Sequence, residues 1–148
     1  MAGYLRDPKE ALEDPTTTFK VQNTNRRGIE IIKLSPEAAA KVKAVDSICL
    51  EQVGAPPGTL QKAVPWNLPD DEYSQKYLYC LCKKIGIAND DGTFILDKTL
   101  RLFTNSTMWN DIKKAFSECN QLTGKSNYET LYKITDCFYS KVPVLLNL

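Results

Sequence analysis

The order of apolar and polar positions changes character near residue 34. Before it, Pro8, Pro15, the run Thr16-Thr17-Thr18 and the stretch Gln22-Asn23-Thr24-Asn25-Arg26-Arg27 carry no periodic apolar stripe. Asp7-Pro8-Lys9-Glu10 fits the start of one short helix, with Asp7 as cap and Pro8 at the first helical position. Residues 1–33 are therefore read as a partly ordered extension and residues 34–148 as the domain.

Within the domain the period is helical. Ser35-Pro36-Glu37 is a cap followed by proline, and Val42, Val45, Ile48 and Cys49 then recur at helical spacing until Gly54 and Pro56-Pro57-Gly58 stop them. A short helical turn fits Thr59–Ala63. Pro69-Asp70-Asp71 opens a stronger helix, with Leu78, Leu81, Cys82 and Ile85 on one side, ended by Gly86 and the Asn89-Asp90-Asp91-Gly92 turn. Asp97 is expected to cap a helix bearing Leu100 and Phe103. Ser106 or Thr107 starts another, with Met108, Ile112, Phe116 and Cys119 aligned. Ser126 and Glu129 form a capping box, and the helix that follows places Leu131, Ile134, Thr135 and Phe138 on one face. Pro143 stops it, leaving the apolar tail Val142-Pro143-Val144-Leu145-Leu146 either as a lid over an interior site or packed outside. No alternating strand is evident, so the expected fold class is all-α.

Composition removes whole classes of function. The 148 residues carry 19 Lys plus Arg against 18 Asp plus Glu, so no bulk field draws nucleic acid or anionic lipid. No apolar run reaches the roughly 20 residues of a membrane span. The chain has no histidine, which excludes a Ser-His-Asp or Cys-His nucleophile, a His-ligated zinc and a His proton switch within it. No nucleophile–base pair can be assembled from the remaining motifs, so an enzyme is the least expected reading, and no cofactor or metal is expected. The Asn89–Gly92 turn is not an EF-hand loop, because Ile87 stands where the first ligand would be. Met1-Ala2-Gly3-Tyr4-Leu5-Arg6-Asp7 lacks the basic and apolar regions of a secretory leader, so either the protein is not secreted or it is met here in mature form, with Met1 in place of a removed signal.

Five cysteines then become the main question: Cys49, Cys80, Cys82, Cys119 and Cys137, all on expected helices. They fit five reduced thiols in a cytosolic bundle, a thiolate metal site, or a secreted domain with two disulfides and one thiol left over. The last is favoured, since four thiolates would have to converge on a metal without histidine.

The spacing resembles the insect odorant-binding proteins of the pheromone-binding type. Cys80-Leu81-Cys82-Lys83-Lys84-Ile85-Gly86 is similar to the segment around that family's third cysteine, and Cys49, Cys119 and Cys137 stand as the first, fourth and sixth. The second and fifth fall on Lys76 and Tyr128, the pattern of the four-cysteine "minus-C" branch. The resemblance implies bridges Cys49–Cys80 and Cys119–Cys137, a free Cys82, and Lys76 beside Tyr128. It implies a compact six-helix bundle stapled by disulfides around an internal apolar cavity, lined by Val42, Trp66, Leu78, Leu81, Cys82, Leu100, Phe103, Met108, Ile112, Phe116, Ile134, Thr135 and Phe138. The implied function is a secreted, non-catalytic carrier of a small hydrophobic organic ligand (odorant, pheromone or similar semiochemical). Thr135 or Tyr132 would orient its polar group, an olfactory receptor would be a further partner, and the carrier would be a monomer or weak homodimer. The rival is a secreted helical interaction module, or a scavenger of the venom or salivary type. Release triggered by acid would rest on carboxylates such as Asp136 or Glu118. Asn105-Ser106-Thr107 matches the N-glycosylation acceptor triplet, although the same residues suffice as a helix cap.

Overall fold

The first local fact of the domain is a cap. The Ser35 hydroxyl accepts the Ala38 N–H at 3.2 Å with Pro36 at the first position, and helix α1 runs Pro36–Val53 until Gly54 turns left-handed. In the computed structural model residues 28–148 are described, so the helix expected at Asp7 and Pro8 lies outside the described residues. Helix α2 is Thr59–Ala63. Helix α3, Glu72–Ile85, is capped by Asp71, whose carboxylate accepts the Ser74 N–H at 2.8 Å, and ends at a left-handed Gly86.

Helix α4 is Leu96–Leu100, continued by a 3₁₀ turn over Arg101–Phe103. Helix α5 is Trp109–Cys119, and α6 is Asn127–Lys141. Ser126 caps α6 as expected, accepting the Glu129 N–H at 3.1 Å. The capping box is only half made, because the Glu129 carboxylate takes the Lys125 N–H instead of that of Ser126.

Two further expectations are corrected. Asp97 lies inside the first turn of α4, with Ile95 at the cap position, so its charge meets the helix N-terminus without a capping hydrogen bond. Ile48 is 45% exposed while Val42, Val45 and Cys49 of α1 are buried. At 3.6 residues per turn its side chain falls roughly a quarter-turn off the centre of that stripe.

A two-stranded sheet, which the apolar pattern does not announce, pairs β1 (Glu30–Lys33) with β2 (Val144–Asn147). Pro143 cannot continue α6, and the β-branched and apolar residues after it take an extended form instead. Four residues per strand are too few to show an alternation. Along β1 Ile31 is exposed and Ile32 buried, and Val144 of β2 is almost fully buried. The Leu34 N–H extends the pairing by donating to the Asn147 carbonyl at 2.8 Å.

Both bridges implied by the resemblance are present. Cys49–Cys80 joins α1 to α3 and Cys119–Cys137 joins α5 to α6, each with Cα atoms 5.8 Å apart, and Cys82 is a buried free thiol. Sequence separations of 31 and 18 residues give about 3–4 kcal/mol each by loss of unfolded-chain entropy. Between α3 and α4 the chain doubles back, with Ala88 bridged to Phe94 and the Ile95 N–H donating to Ile87 O at 2.8 Å. The Asn120 side chain, just past α5, clasps this turn by accepting the Phe94 N–H at 2.8 Å and donating to the Phe94 carbonyl at 3.1 Å.

Gly92 in that turn has φ +94°, and a Cβ there would lie 2.1 Å from the Asn127 carbonyl oxygen. Gly54 has φ +77° but faces open space. Gly54→Ala is expected to cost about 1–2 kcal/mol from backbone strain alone. Gly92→Ala should cost a further 1–3 kcal/mol, roughly, for the clash with backbone at the start of α6. Denaturant midpoints of the two variants measure the difference.

Candidate functional site

Four helices each aim one stripe at a common interior. From α1 come Val42 and Val45; from α3, Tyr77, Leu78, Leu81 and Cys82; from α5, Ile112, Ala115 and Phe116; from α6, Leu131, Ile134, Thr135 and Phe138. Phe103 is added by the 3₁₀ turn after α4, and Phe94 by the turn before it. Of the expected pocket residues, Val42, Leu78, Leu81, Cys82, Phe103, Ile112, Phe116, Ile134, Thr135 and Phe138 are buried together, while Trp66, Leu100 and Met108 are half-buried at the margin.

The centre is aromatic. Phe116 and Phe138 stack with centroids 3.9 Å apart at 14°, Phe103 leans on both at 5.8 and 5.4 Å, and Phe94 meets Phe116 edge-on at 5.5 Å. Two hollows lined by described residues open at the surface. One, of about 230 Å³, lies between α5 and the end of α6, lined by Asp111, Lys114, Ala115, Glu118, Lys141, Val142 and Pro143. The other, of about 110 Å³, lies among Ile32, Leu34, Ala38, Arg101, Leu102 and Asn105. Neither is lined by an expected pocket residue.

The polar groups of the interior are engaged. The Thr135 hydroxyl donates to Leu131 O at 2.8 Å, and the Tyr132 hydroxyl donates to Leu68 O at 2.7 Å, tying the segment before α3 to α6. A hydroxyl that donates keeps its acceptor lone pairs, so Thr135 can still accept a hydrogen bond. Tyr77, which periodicity alone did not single out, is fully buried and donates to the Asp46 carboxylate at 2.5 Å. Its position four residues before Leu81 was the available signal. Phe94 was missed for a different reason, since a turn has no period to reveal which side chain faces inward.

The carboxylates singled out for acid response both have contacts. Asp136 accepts the Trp66 indole N–H at 2.9 Å, and Glu118 faces Lys141 at 3.7 Å. Lys76 lies 5.3 Å from the Tyr128 ring centroid, as the missing cysteine pair implies, and pairs with Glu72 at 2.7 Å. Among the described residues no cluster of cysteines and carboxylates is arranged to hold a metal ion, and no helix is long and apolar enough to cross a membrane.

Burial pushes the Cys82 thiol up to about 12 and lifts the phenols of Tyr77, Tyr132 and Tyr139 above their ordinary range. Each group is neutral when protonated, so the folded chain holds these protons more tightly than the unfolded one. Their contribution is complete below the unfolded values, roughly 8.5 for the thiol and 10 for the phenols, and is lost as pH rises beyond them. The Cys82 part is expected to reach about 2 kcal/mol by pH 10. Denaturant titrations at pH 8 and pH 10 should show that loss in the native chain and not in Cys82→Ala. A thiol reagent at pH 7.5 should label a single sulfhydryl, and only after unfolding.

Comparison with known proteins places this architecture. Among curated protein sequences none matches the chain. Among solved structures, a fatty acid binding protein from the oral disk of the blowfly Phormia regina has a TM-score of 0.61 at 23% identity, covering 73% of this chain and 94% of its own. An odorant-binding protein of Drosophila melanogaster gives 0.62 at 21%, covering 71% and 92%. An odorant binding protein of Anopheles gambiae, solved with an azo compound, gives 0.57 at 20%, covering 72% and 86%. These likenesses establish the fold. The sequence profile of the PBP/GOBP family matches residues 33–141, a span that holds the six helices and both bridges of the described residues, and the chain belongs to that family of insect odorant-binding proteins.

Proposed function

We propose that the chain is a secreted carrier that takes one small hydrophobic molecule, an odorant, pheromone or similar semiochemical, into its interior and conveys it through aqueous fluid. The observation that carries this reading is the family match across residues 33–141. Two disulfides support an oxidising, extracellular setting. Lys76 against Tyr128 at the place of the third family bridge supports the four-cysteine type.

The proposed lining is the set of thirteen residues that the resemblance implies, with Phe103, Phe116 and Phe138 at its centre. With these rings in contact at the centre, a guest that reaches it turns them aside. It gains about 25 cal/mol per Å² of apolar surface removed from water, which offsets the ring-on-ring attraction it disrupts. Thr135 accepts a hydrogen bond from the guest's hydroxyl or acid group. The blowfly relative's fatty acid and the mosquito relative's azo compound are both compatible with such a site. No bond is made or broken. An olfactory receptor is the proposed recipient, and the carrier acts as a monomer or weak homodimer.

A fluorescent naphthylamine probe tests the reading. The native chain should take it up at micromolar concentration and release it to long-chain alcohols or acids. Phe116→Leu, which removes one ring of the central stack, should cost about 1–2 kcal/mol of stability and tighten probe binding severalfold. A chain that takes up no probe in either form is a helical interaction module instead.

A further inference from the structure

Asn105-Ser106-Thr107 is the only Asn-x-Ser/Thr triplet in the sequence. Its two readings, acceptor and helix cap, use different atoms in the fold. The expected cap is not made as such: α5 begins at Trp109 with Met108 at the cap position and no side-chain cap, and the Ser106 hydroxyl accepts the Met108 N–H at 2.9 Å in the turn before it. Asn105 stands exposed in the turn between the 3₁₀ segment and α5, on the rim of the hollow formed by Ile32, Leu34, Ala38 and Leu102. Capping therefore does not consume the asparagine. We propose that Asn105 carries an N-linked oligosaccharide, an inference that rests on the secretory part of the proposed function. In the transfer, Asn105 Nδ2 bonds to the anomeric carbon of a lipid-linked oligosaccharide pyrophosphate. The anomeric C–O bond breaks, the lipid pyrophosphate leaves with its electron pair, and the amide gives one proton to a base of the transferase. The full chain directed through the secretory pathway of insect cells should yield an Asn105 peptide bearing sugar, converted to Asp by a glycan-removing amidase and missing from Asn105→Gln. Secreted protein with both bridges formed and Asn105 unmodified overturns the assignment while leaving the secretory reading intact.

A second inference comes from a strained residue. Trp66, in the turn after α2, has φ +52°, a conformation costly for a bulky side chain and kept only where its surroundings enforce it. The backbone is held locally at the end of α2, the Trp66 N–H donating to Ala63 O at 3.1 Å and the Asn67 N–H to Lys62 O at 2.7 Å, while the side chain is held by α6. The Trp66 ring stacks on Tyr139 at 5.5 Å and 21° and leans on Tyr132 at 5.1 Å, and its indole N–H donates to Asp136 at 2.9 Å. The ring contacts continue inward without a break. Tyr139 meets Phe138 edge-on at 5.1 Å, and Phe138 stacks on Phe116 at the centre. One half-buried indole on a strained turn thus stands at the outer end of a file of rings that leads to the interior.

We infer that Trp66 sets the rate at which a ligand enters and leaves, acting as a latch that Asp136 holds shut. This rests on the carrier reading. Freed from Asp136, the indole swings off Tyr139 about its side-chain torsions while the backbone turn holds, exposing the file of rings. Asp136 is a positioning residue. Its exposed carboxylate makes the one side-chain hydrogen bond to Trp66, and Asp136→Asn keeps an acceptor there.

Stopped-flow uptake and release of the naphthylamine probe tests the latch. Asp136→Ala should raise both the association and dissociation rates about three- to tenfold, leaving Kd within twofold, while Asp136→Asn retains native rates. The tryptophan emission of the alanine variant should shift to the red without any ligand, as the indole leaves Tyr139 for water. Native probe binding with rates unchanged in Asp136→Ala overturns the latch alone. Absence of binding by the native chain overturns the carrier reading and the latch with it.

Discussion

The face-to-face contact of Phe116 with Phe138 is the constraint around which the interior is arranged. The Cys119–Cys137 bridge, close to both rings along α5 and α6, holds the two helices near enough for it. With those rings fixed, Phe103 and Phe94 have only their edges and tilted faces to occupy. The Asn120 clasp on Phe94 keeps the turn before α4 in register with the end of α5. The second bridge does the same for α1 and α3. It leaves Tyr77 and Cys82 on the inner side of α3, away from water.

The interior is electrically quiet as a result. Its sulfur and phenol groups hold their protons well beyond neutral pH, and the sequence has no imidazole to titrate below it. Asp46, half-buried, meets the interior at the Tyr77 hydroxyl, whereas Lys76, Asp136, Glu118 and Lys141 join elements away from the core. In the proposed carrier, recognition is a matter of shape and apolar area, with Thr135 as the proposed directional group.

Much of this was legible from the chain. Ser35, Asp71 and Ser126 announce their helices because each cap is a local hydrogen bond, decided within three residues. The cysteine intervals carried the pairing, through the resemblance, because two matched positions are missing together. What the sequence hid was long-range or short-lived in pattern. The β1–β2 pair spans four residues a side and joins segments more than a hundred positions apart. Trp66 was read as a lining residue from resemblance. Its bond to Asp136 depends on two residues seventy positions apart returning to the same place. Periodicity selected ten residues that are buried together, yet it is blind to whether such a group encloses space or fills it.

The Lys76–Tyr128 contact replaces a covalent link with an attraction between an ammonium and a ring, reinforced by the Glu72 carboxylate. A disulfide at that junction would be indifferent to dissolved salt and vulnerable to reductants. This pairing reverses both dependences, because exposed charges are screened over roughly 8 Å at physiological ionic strength. The seam between α3 and α6 is thereby made responsive to the ionic content of the surrounding fluid, while the two seams closed by sulfur are not.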